Sequence, residues 1–442
     1  MAQRKLLILL GKGQTELKDD ISTYRKVKYF FPNEPEKVIE TPFVGEAIIR
    51  LSTEQFDQVH ILGTQQAMWD ILFLHCASNL RGKDKKQAKK NVKALEKKIK
   101  ENSLGHEDVQ KVAALFSEYV GVPHTFAHII ELGITQEDFW NIFETLSEKI
   151  ELKGHQISFD ITHSVRSHPI FFFFFLFFLN SVVKDVHIDS FYYGALAFQD
   201  RKEYGGKTPI LDIQAYIELM KWIDAAQAFT RYADTDPIAH LLTAPHMNEL
   251  KTTLREFSYA VQLNSTDSIK KTANDLVEKL NALDAEAPRP LRILKEYFAS
   301  LPRLVSDEQY DWQSMLNLAV YHAEHSRLGL AVVCLSEAIT YRFGEIFQIQ
   351  GRIFQKIAWQ VTSWMDRFNP TNKRKEFMHH VAFGSRFLNY YDQLKDVRDA
   401  IAHEAPMDLK SANRINEIIG YFAEHLGSSD IEVIKEYYKP IL

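Results

Sequence analysis

Apolar and polar positions along the first half of the chain follow two rhythms. Short β-rich runs that end in Gly, Thr or Asp stand at RKLLILLG (4–11), QVHILGT (58–64), HQISFDIT (155–162) and VHIDSFYYGAL (186–196). Helix-period stretches separate them, and strands alternating with helices predict a parallel sheet of the α/β class. From about residue 215 the strand signals vanish. Residues 215–233, 247–263, 267–284, 289–300, 311–349, 351–368 and 375–403 read as helices, with Pro237, Pro245, Pro288, Pro302 and Pro370 as punctuation. The expected organisation is a sheet domain over 1–215, a helical connector over 216–304 and an all-α bundle over 305–442. Within the first, about 80–150 reads as a helical insert.

One stretch breaks both rhythms. ITHSVRSHPIFFFFFLFFLN (161–180) places seven phenylalanines after a polar loop. Its apolar run, Ile170 to Leu179, is half of the roughly 20 residues that a membrane helix needs. The opening MAQRKLLILLGKG has too short an apolar stretch for a signal core and no small-residue cleavage site. A soluble, cytoplasmic protein is expected, with no membrane partner. The Phe run then reads as a helix buried all round, by the sheet on one side and by other helices or a partner subunit on another.

Composition changes little in this picture. Apolar residues are 45% and charged residues 25%, which is ordinary for a globular protein. The two cysteines, Cys76 and Cys334, form no CxxC pair, so neither a disulfide framework nor a thiolate zinc site is expected. The net charge of −5 means that any polyanion must be met by local basic patches. One such patch is legible: residues 81–100 hold ten Lys or Arg against two acids, in a run suited to a solvated helix.

Candidate chemistry gathers first at strand ends. HQISFDIT runs into a turn through His163, Ser164, Val165 and Arg166, and Pro169 suits the first turn of the helix that follows, with Ser167 or His168 as cap. In open α/β sheets ligands bind beyond the carboxyl ends of strands, where helix N-termini offer N–H groups to anions. Gly11, Lys12, Gly13 and Gln14 follow the first strand, and Thr64 and Gln65 the second. These residues, with Thr162, His163, Ser164 and Arg166, are the expected anion-binding set. His163 alone reads first as a loop histidine bonded to backbone. A dinucleotide fingerprint fails, because GKGQTE lacks its third glycine, and no P-loop is present.

The second constellation is Arg398 and His403 in RDAIAH. Leu388, Tyr391, Leu394, Val397 and Ile401 give this segment helical periodicity, and Pro406 follows it. R-x-x-x-x-H is weak alone; Arg374 to His379 repeats it inside a charged run. Arg398 and His403 instead bracket a small apolar stretch at a helix end, whose negative partial charge favours an imidazolium. Five residues of an ideal helix leave the two side chains about 140° apart, so either the helix end distorts or a second copy completes the site. Such a pair suits RNA cleavage: Arg holds the scissile phosphate, His moves a proton, and the RNA 2′-OH attacks. That chemistry requires no metal, and neither metal nor cofactor is expected.

Taken together, LLGKG, IETPFVGEAI (39–48), ILGT, DITHSVR, YYGAL and RDAIAH make the chain resemble the CARF–HEPN ribonucleases of type III CRISPR systems, the Csx group related to the Csm ribonucleases. LGKG departs from that family's usual LGTG-like first loop. The resemblance implies a Rossmann-like CARF domain that dimerises and senses a cyclic oligoadenylate, most simply cyclic tetra-adenylate. It also implies a HEPN homodimer, or a higher oligomer, that cleaves single-stranded RNA when the messenger binds. The rival reading is a non-catalytic CARF sensor that acts through partner proteins.

Overall fold

The structure, a computed structural model, describes residues 2–12, 15–18, 21–80, 85–165, 167–183, 185–283, 286–305, 312–348, 382–403 and 408–437. Arg166, Gly13, Gln14, the 351–368 stretch and the Arg374–His379 pair lie outside these residues. The chain divides into two compact units, Met1–Met220 and Lys221–Leu442.

The first unit is a sheet of eight strands. In chain order these are β1 (Arg4–Leu10), β4 (Val27–Phe30), β5 (Ile39–Thr41), β6 (Gln58–Gly63), β7 (His124–Ile129), β8 (Gln156–Asp160), β9 (His187–Gly194) and β10 (Thr208–Asp212); a separate hairpin is made of β2 (Thr15–Lys18) and β3 (Ile21–Tyr24). Across the sheet the order is β5-β4-β10-β9-β8-β1-β6-β7. The five strands from β9 to β7 are mutually parallel, and β9 and β10 are antiparallel. β1 is central because its side chains are apolar on both faces, as a strand covered on both sides requires. Leu6, Ile8 and Leu10 enter a core shared with α1 (Val44–Leu51), α2 (Trp69–Asn79), α3 (Lys85–Lys100) and α4 (His106–Val120). Leu7 and Leu9 enter the opposite core with α5 (Gln136–Lys149) and α6 (Ser167–Val182).

The sheet differs from the sequence expectation at its margins. β7 lies inside the stretch that reads as a purely helical insert, between α4 and α5. Its sequence, HTFAHI, leaves Phe126 39% exposed, and an edge strand of that kind carries a weaker apolar signal. β4, β5 and β10 are three to five residues long, too short to stand out by periodicity.

The Phe helix α6 is not buried all round. Phe172, Phe175, Leu176 and Leu179 are buried, and Phe143 of α5 packs on Phe175 and Phe178 with ring centroids at 5.1 and 5.6 Å. Ile170, Phe174, Phe178 and Val182, one every fourth residue, are 48–62% exposed. A helix on the outer layer of a three-layer sandwich has the sheet on one side only, and among the described residues this stripe stays open. Trp140 of α5, 58% exposed, sits beside Phe143 and extends the apolar surface.

Buried histidines make this unit sensitive to acid. His60 of β6 and His128 of β7 share a hydrogen bond of 3.1 Å and stack with centroids at 5.3 Å. Burial holds both imidazoles neutral, His60 down at about 3 with help from nearby His128 and Lys5, and His128 down at about 4 with help from nearby Lys149 and His106. In an unfolded chain each titrates near 6.5. Below that pH the unfolded state takes up protons that the native state refuses, so stability falls from pH 6.5 towards 4. The loss should approach about 1.4 kcal/mol per pH unit for each histidine. Urea midpoints measured across that range should drop steeply, and a His60→Gln/His128→Gln variant should give a flatter profile. An equally steep profile in the variant would place the acid sensitivity elsewhere.

The second unit is helical. α7 (Gln214–Tyr232) spans the division, and α8 (Asp236–Leu241), α9 (Asn248–Gln262), α10 (Thr266–Leu283), α11 (Arg289–Ser300), α12 (Trp312–Glu324), α13 (Leu328–Ile346), α14 (Ala382–Ala402) and α15 (Leu409–His425) follow. One continuous apolar core runs through it, from Trp222 to Ile434. The stretch 311–349, which reads as one helix, is broken between α12 and α13, where Ser326 takes φ 58°. α14 buries Leu388, Tyr391 and Leu394, three of the five positions that its periodicity marks, and Phe387 beside them, while Ile401, also marked, is exposed. Phe387 meets Phe343 of α13 and Phe422 of α15 edge-on, at 6.1 and 5.3 Å.

Candidate functional site

Each unit carries one of the two constellations. In the first, the chain leaves β1 for β6 and β7 and returns to β8 on the other side of β1, so a crevice opens at the carboxyl ends of these strands. Gly11 closes it tightly. A Cβ on Gly11 would stand 2.9 Å from the backbone of His163 and Ser164, so only glycine lets the β1 end meet the loop after β8. On its other side the Gly11 carbonyl accepts from Met68 N at 3.2 Å, which draws in the loop after β6.

The loop after β8 is held by its own side chains. Asp160, fully buried, accepts through Oδ1 from the Thr162 N–H at 3.0 Å and the Thr162 hydroxyl at 2.6 Å. Thr162 Oγ1 in turn accepts from Gly194 N at 2.8 Å, fastening the loop to β9. Among the described residues Asp160 Oδ2 has no hydrogen-bond partner, and burial pushes this carboxyl up to about 6 against the two bonds from Thr162. His163 Nε2 accepts from Val44 N, at the first residue of α1, over 3.5 Å. Burial holds its pKa down at about 4, so it serves there as a neutral acceptor. Ser164 Oγ bonds His168 Nδ1 at 2.8 Å, inside the first turn of α6.

The carboxyl edge therefore gathers Gly11, Lys12, Thr64, Gln65, Thr162, His163 and Ser164 from three strand ends. Several are tied to the frame. The Gln65 amide both donates to and accepts from the backbone of Leu104, at 3.0 and 3.1 Å. The Thr64 carbonyl accepts from Trp69 Nε1 at 2.9 Å. Lys12 is exposed. The arrangement offers an anion the exposed ammonium of Lys12, with the other side chains fixing the backbone that lines the edge; in the first turn of α6 Pro169 has no N–H and the His168 N–H donates to the Val165 carbonyl at 3.0 Å.

Support for this loop comes from residues that the sequence reading missed. Phe43 sits edge-on to both His163 and His75, with centroids at 6.5 and 5.6 Å. Beneath it Glu46, 3% exposed, accepts from Thr41 Oγ1 at 2.5 Å, His75 Nε2 at 2.7 Å, Tyr119 OH at 2.7 Å and Arg50 Nε at 2.9 Å. Burial alone would raise its pKa, but the bonds from His75, Thr41 and Tyr119 outweigh it and hold the carboxylate at about 2. The signal available in the sequence was a lone glutamate inside the apolar PFVGEAII.

In the second unit, Arg398 and His403 stand at the solvent-exposed end of α14. The Arg398 guanidinium reaches Asp399 Oδ1, with Nη2 at 3.2 Å, and His403 N donates to the Asp399 carbonyl at 2.9 Å, a last helical bond. Ile401, two residues before His403, is 36% exposed. A groove of about 470 Å³ lies alongside, between α14 and α15, lined by Gln393, Asp396 and Ala400 and by Lys410, Ser411 and Arg414. Arg414 is braced by Gln393 and Glu417 and lies over the Tyr390 ring at 5.1 Å. Lys410 and Arg414 were not singled out by sequence, because a single Lys or Arg on a surface helix carries no pattern. Among the described residues no group of three or more His, Cys, Asp or Glu side chains is placed to hold a metal ion, and no helix is long and apolar enough to cross a membrane.

A mostly parallel sheet with a crevice at its central switch point, followed in the chain by a helical half, defines a Rossmann-like domain joined to a helical region. Residues 10–196 match the family model of the CRISPR system endoribonuclease Csx1, CARF domain, and residues 218–305 match that of the CRISPR-associated protein MJ1674, second domain. The chain is 25% identical over 410 residues to the CRISPR-associated protein MJ1674 of Methanocaldococcus jannaschii, covering 90% of this chain and 62% of that protein. It thus spans under two thirds of that relative's length. The first unit belongs to the CARF domains of the Csx1 type, and the chain is a CARF-containing CRISPR-associated protein.

Proposed function

We propose that the chain is an endoribonuclease that a cyclic oligoadenylate switches on. The messenger binds at the carboxyl edge around Gly11, Lys12, Thr162 and Ser164, and Gly13, Gln14 and Arg166, their neighbours in sequence, belong to the same candidate set. Arg398 and His403 cleave single-stranded RNA through its own 2′-OH, without a metal. The observation that carries this reading is the placement of Arg398 and His403. Both are exposed at the end of an amphipathic helix, and Arg398 is turned to Asp399 rather than to His403. One copy then does not complete a site, and two α14 ends across a two-fold axis do.

The same reading gives the open stripe of α6 a purpose. Ile170, Phe174 and Phe178, with Trp140, form an apolar face of the kind that a homodimer of CARF units would cover. A cyclic ligand with repeated adenylates fits such an axis, since each protomer offers the same edge to part of the ring. Fluorescent single-stranded RNA incubated with the protein in EDTA, with and without cyclic tetra-adenylate, tests the reading directly. Cleavage that rises with the messenger supports it. Messenger binding with intact RNA would favour the non-catalytic sensor instead, and cleavage abolished by EDTA would remove the metal-free mechanism.

A further inference from the structure

Helix α3 carries a charge pattern that neither constellation uses. On its inner face Leu95 and Ile99 pack into the core on the α1–α4 side of the sheet, and Val92 is buried. Its outer face is lysine. Three ion pairs sit in the last turns and the residues beyond: Lys97 with Glu101 at 3.8 Å, Lys98 with Asp108 at 2.7 Å and Lys100 with Glu96 at 3.0 Å. Lys89, Lys90 and Lys93, all exposed, have no carboxylate partner among the described residues.

This arrangement works against the helix. Lys85 and Lys89, Lys86 and Lys90, Lys89 and Lys93, and Lys93 and Lys97 are like charges four residues apart, each of which weakens a helix. The first turn holds no acid, so the lysines also oppose the positive end of the helix dipole. Solubility alone would be served as well by mixed signs, as the last turns are. A polyanion laid along the first turns would offset all of these repulsions together.

We infer that the outer face of α3 around Lys89, Lys90 and Lys93 is a docking surface for the phosphate backbone of RNA. The choice of RNA rests on the ribonuclease reading above. An acidic protein partner would be anchored by aromatic or large apolar side chains at the centre of the contact. Between the lysines, however, this face presents Gln87 and Asn91, bonded to each other at 3.1 Å, and Ala94. Backbone recognition through phosphates requires only cations on a firm support. Lysines one turn apart on a packed helix supply that.

The test uses the full chain and a labelled 20-nucleotide 2′-O-methyl RNA, which lacks the attacking hydroxyl and stays intact. Lys89→Gln/Lys90→Gln/Lys93→Gln should weaken binding about tenfold or more near 0.1 M salt. It should also lower the slope of log K against log salt by about 2, as loss of three phosphate contacts on a single strand requires. Unchanged affinity and slope in a folded triple variant would overturn the inference while leaving messenger-driven cleavage by the wild type untouched. Loss of binding in the variant, with no cleavage by the wild type, would keep the docking surface and remove the ribonuclease reading. Tighter binding of polyglutamate than of the oligonucleotide, lost in the variant, would assign the face to an acidic protein and also overturn it.

Discussion

His403→Ala should lower messenger-stimulated RNA cleavage by about 10²–10⁴, the usual contribution of a positioned general acid or base. Fold and messenger affinity should be unchanged. His403 is exposed at the end of α14, and among the described residues its one hydrogen bond runs from its backbone N–H to the Asp399 carbonyl, so its imidazole contributes little to the bundle. Arg398→Ala should act similarly, because a guanidinium on the scissile phosphate stabilises charge that grows in the transition state. A mixed dimer of His403→Ala and Arg398→Ala chains separates two arrangements. With a single composite site built from both copies, each copy lacks one role and little activity remains. Wild-type cleavage by His403→Ala, together with its loss in His379→Ala, would transfer the role to the other R-x-x-x-x-H.

How much of this was written in the sequence depends on how much chain each feature occupies. β1, β6, β8 and β9 announce themselves, because a central parallel strand is apolar on both faces and ends at a glycine or a polar turn. β7 and the short strands β4, β5 and β10 do not, since an edge or a few residues leave too little pattern. The α14 face is legible at Leu388, Tyr391 and Leu394, whereas Phe387 goes unmarked and Ile401, marked as apolar face, is exposed. What the sequence leaves out is direction. It marks Thr162, His163 and Gln65 as polar residues at strand ends, where side chains and ligand compete for the same groups. The structure turns all three towards the frame, to Asp160 and Gly194, to Val44 and to Leu104. Glu46 was silent for the same reason, as its four partners come from three separate segments. The Phe run misleads differently. Its composition reads as burial on every side, whereas among the described residues the helix is met by the sheet, by α5 and by Tyr216 of α7, and the face through Phe174 and Phe178 stays open.

Gly11→Ala should weaken cyclic tetra-adenylate binding about 10- to 100-fold, or roughly 1.4–2.7 kcal/mol, with basal, messenger-free cleavage unchanged. The added Cβ would stand 2.9 Å from three backbone atoms of His163 and Ser164. Backbone cannot swing aside as the tip of a side chain can. The loop after β8 must shift, and it is braced: Thr162 bridges Asp160 and Gly194, and Ser164 holds His168. Moving it drags the first turn of α6 and with it the backbone that lines the edge beside Lys12. Each charge-assisted hydrogen bond misplaced by that shift is worth about 1.5–3 kcal/mol, which sets the expected range. Gly420→Ala is the control for the substitution itself. Gly420 lies within α15 with open space where its Cβ would be, so alanine there should raise stability by about 1 kcal/mol and leave messenger affinity alone. Thr162→Val asks whether the brace alone matters: it leaves Gly194 N without its acceptor, so a smaller fall in affinity is expected. Calorimetry showing wild-type affinity in a folded Gly11→Ala protein would mean that the β1–β8 crevice is not where the messenger binds.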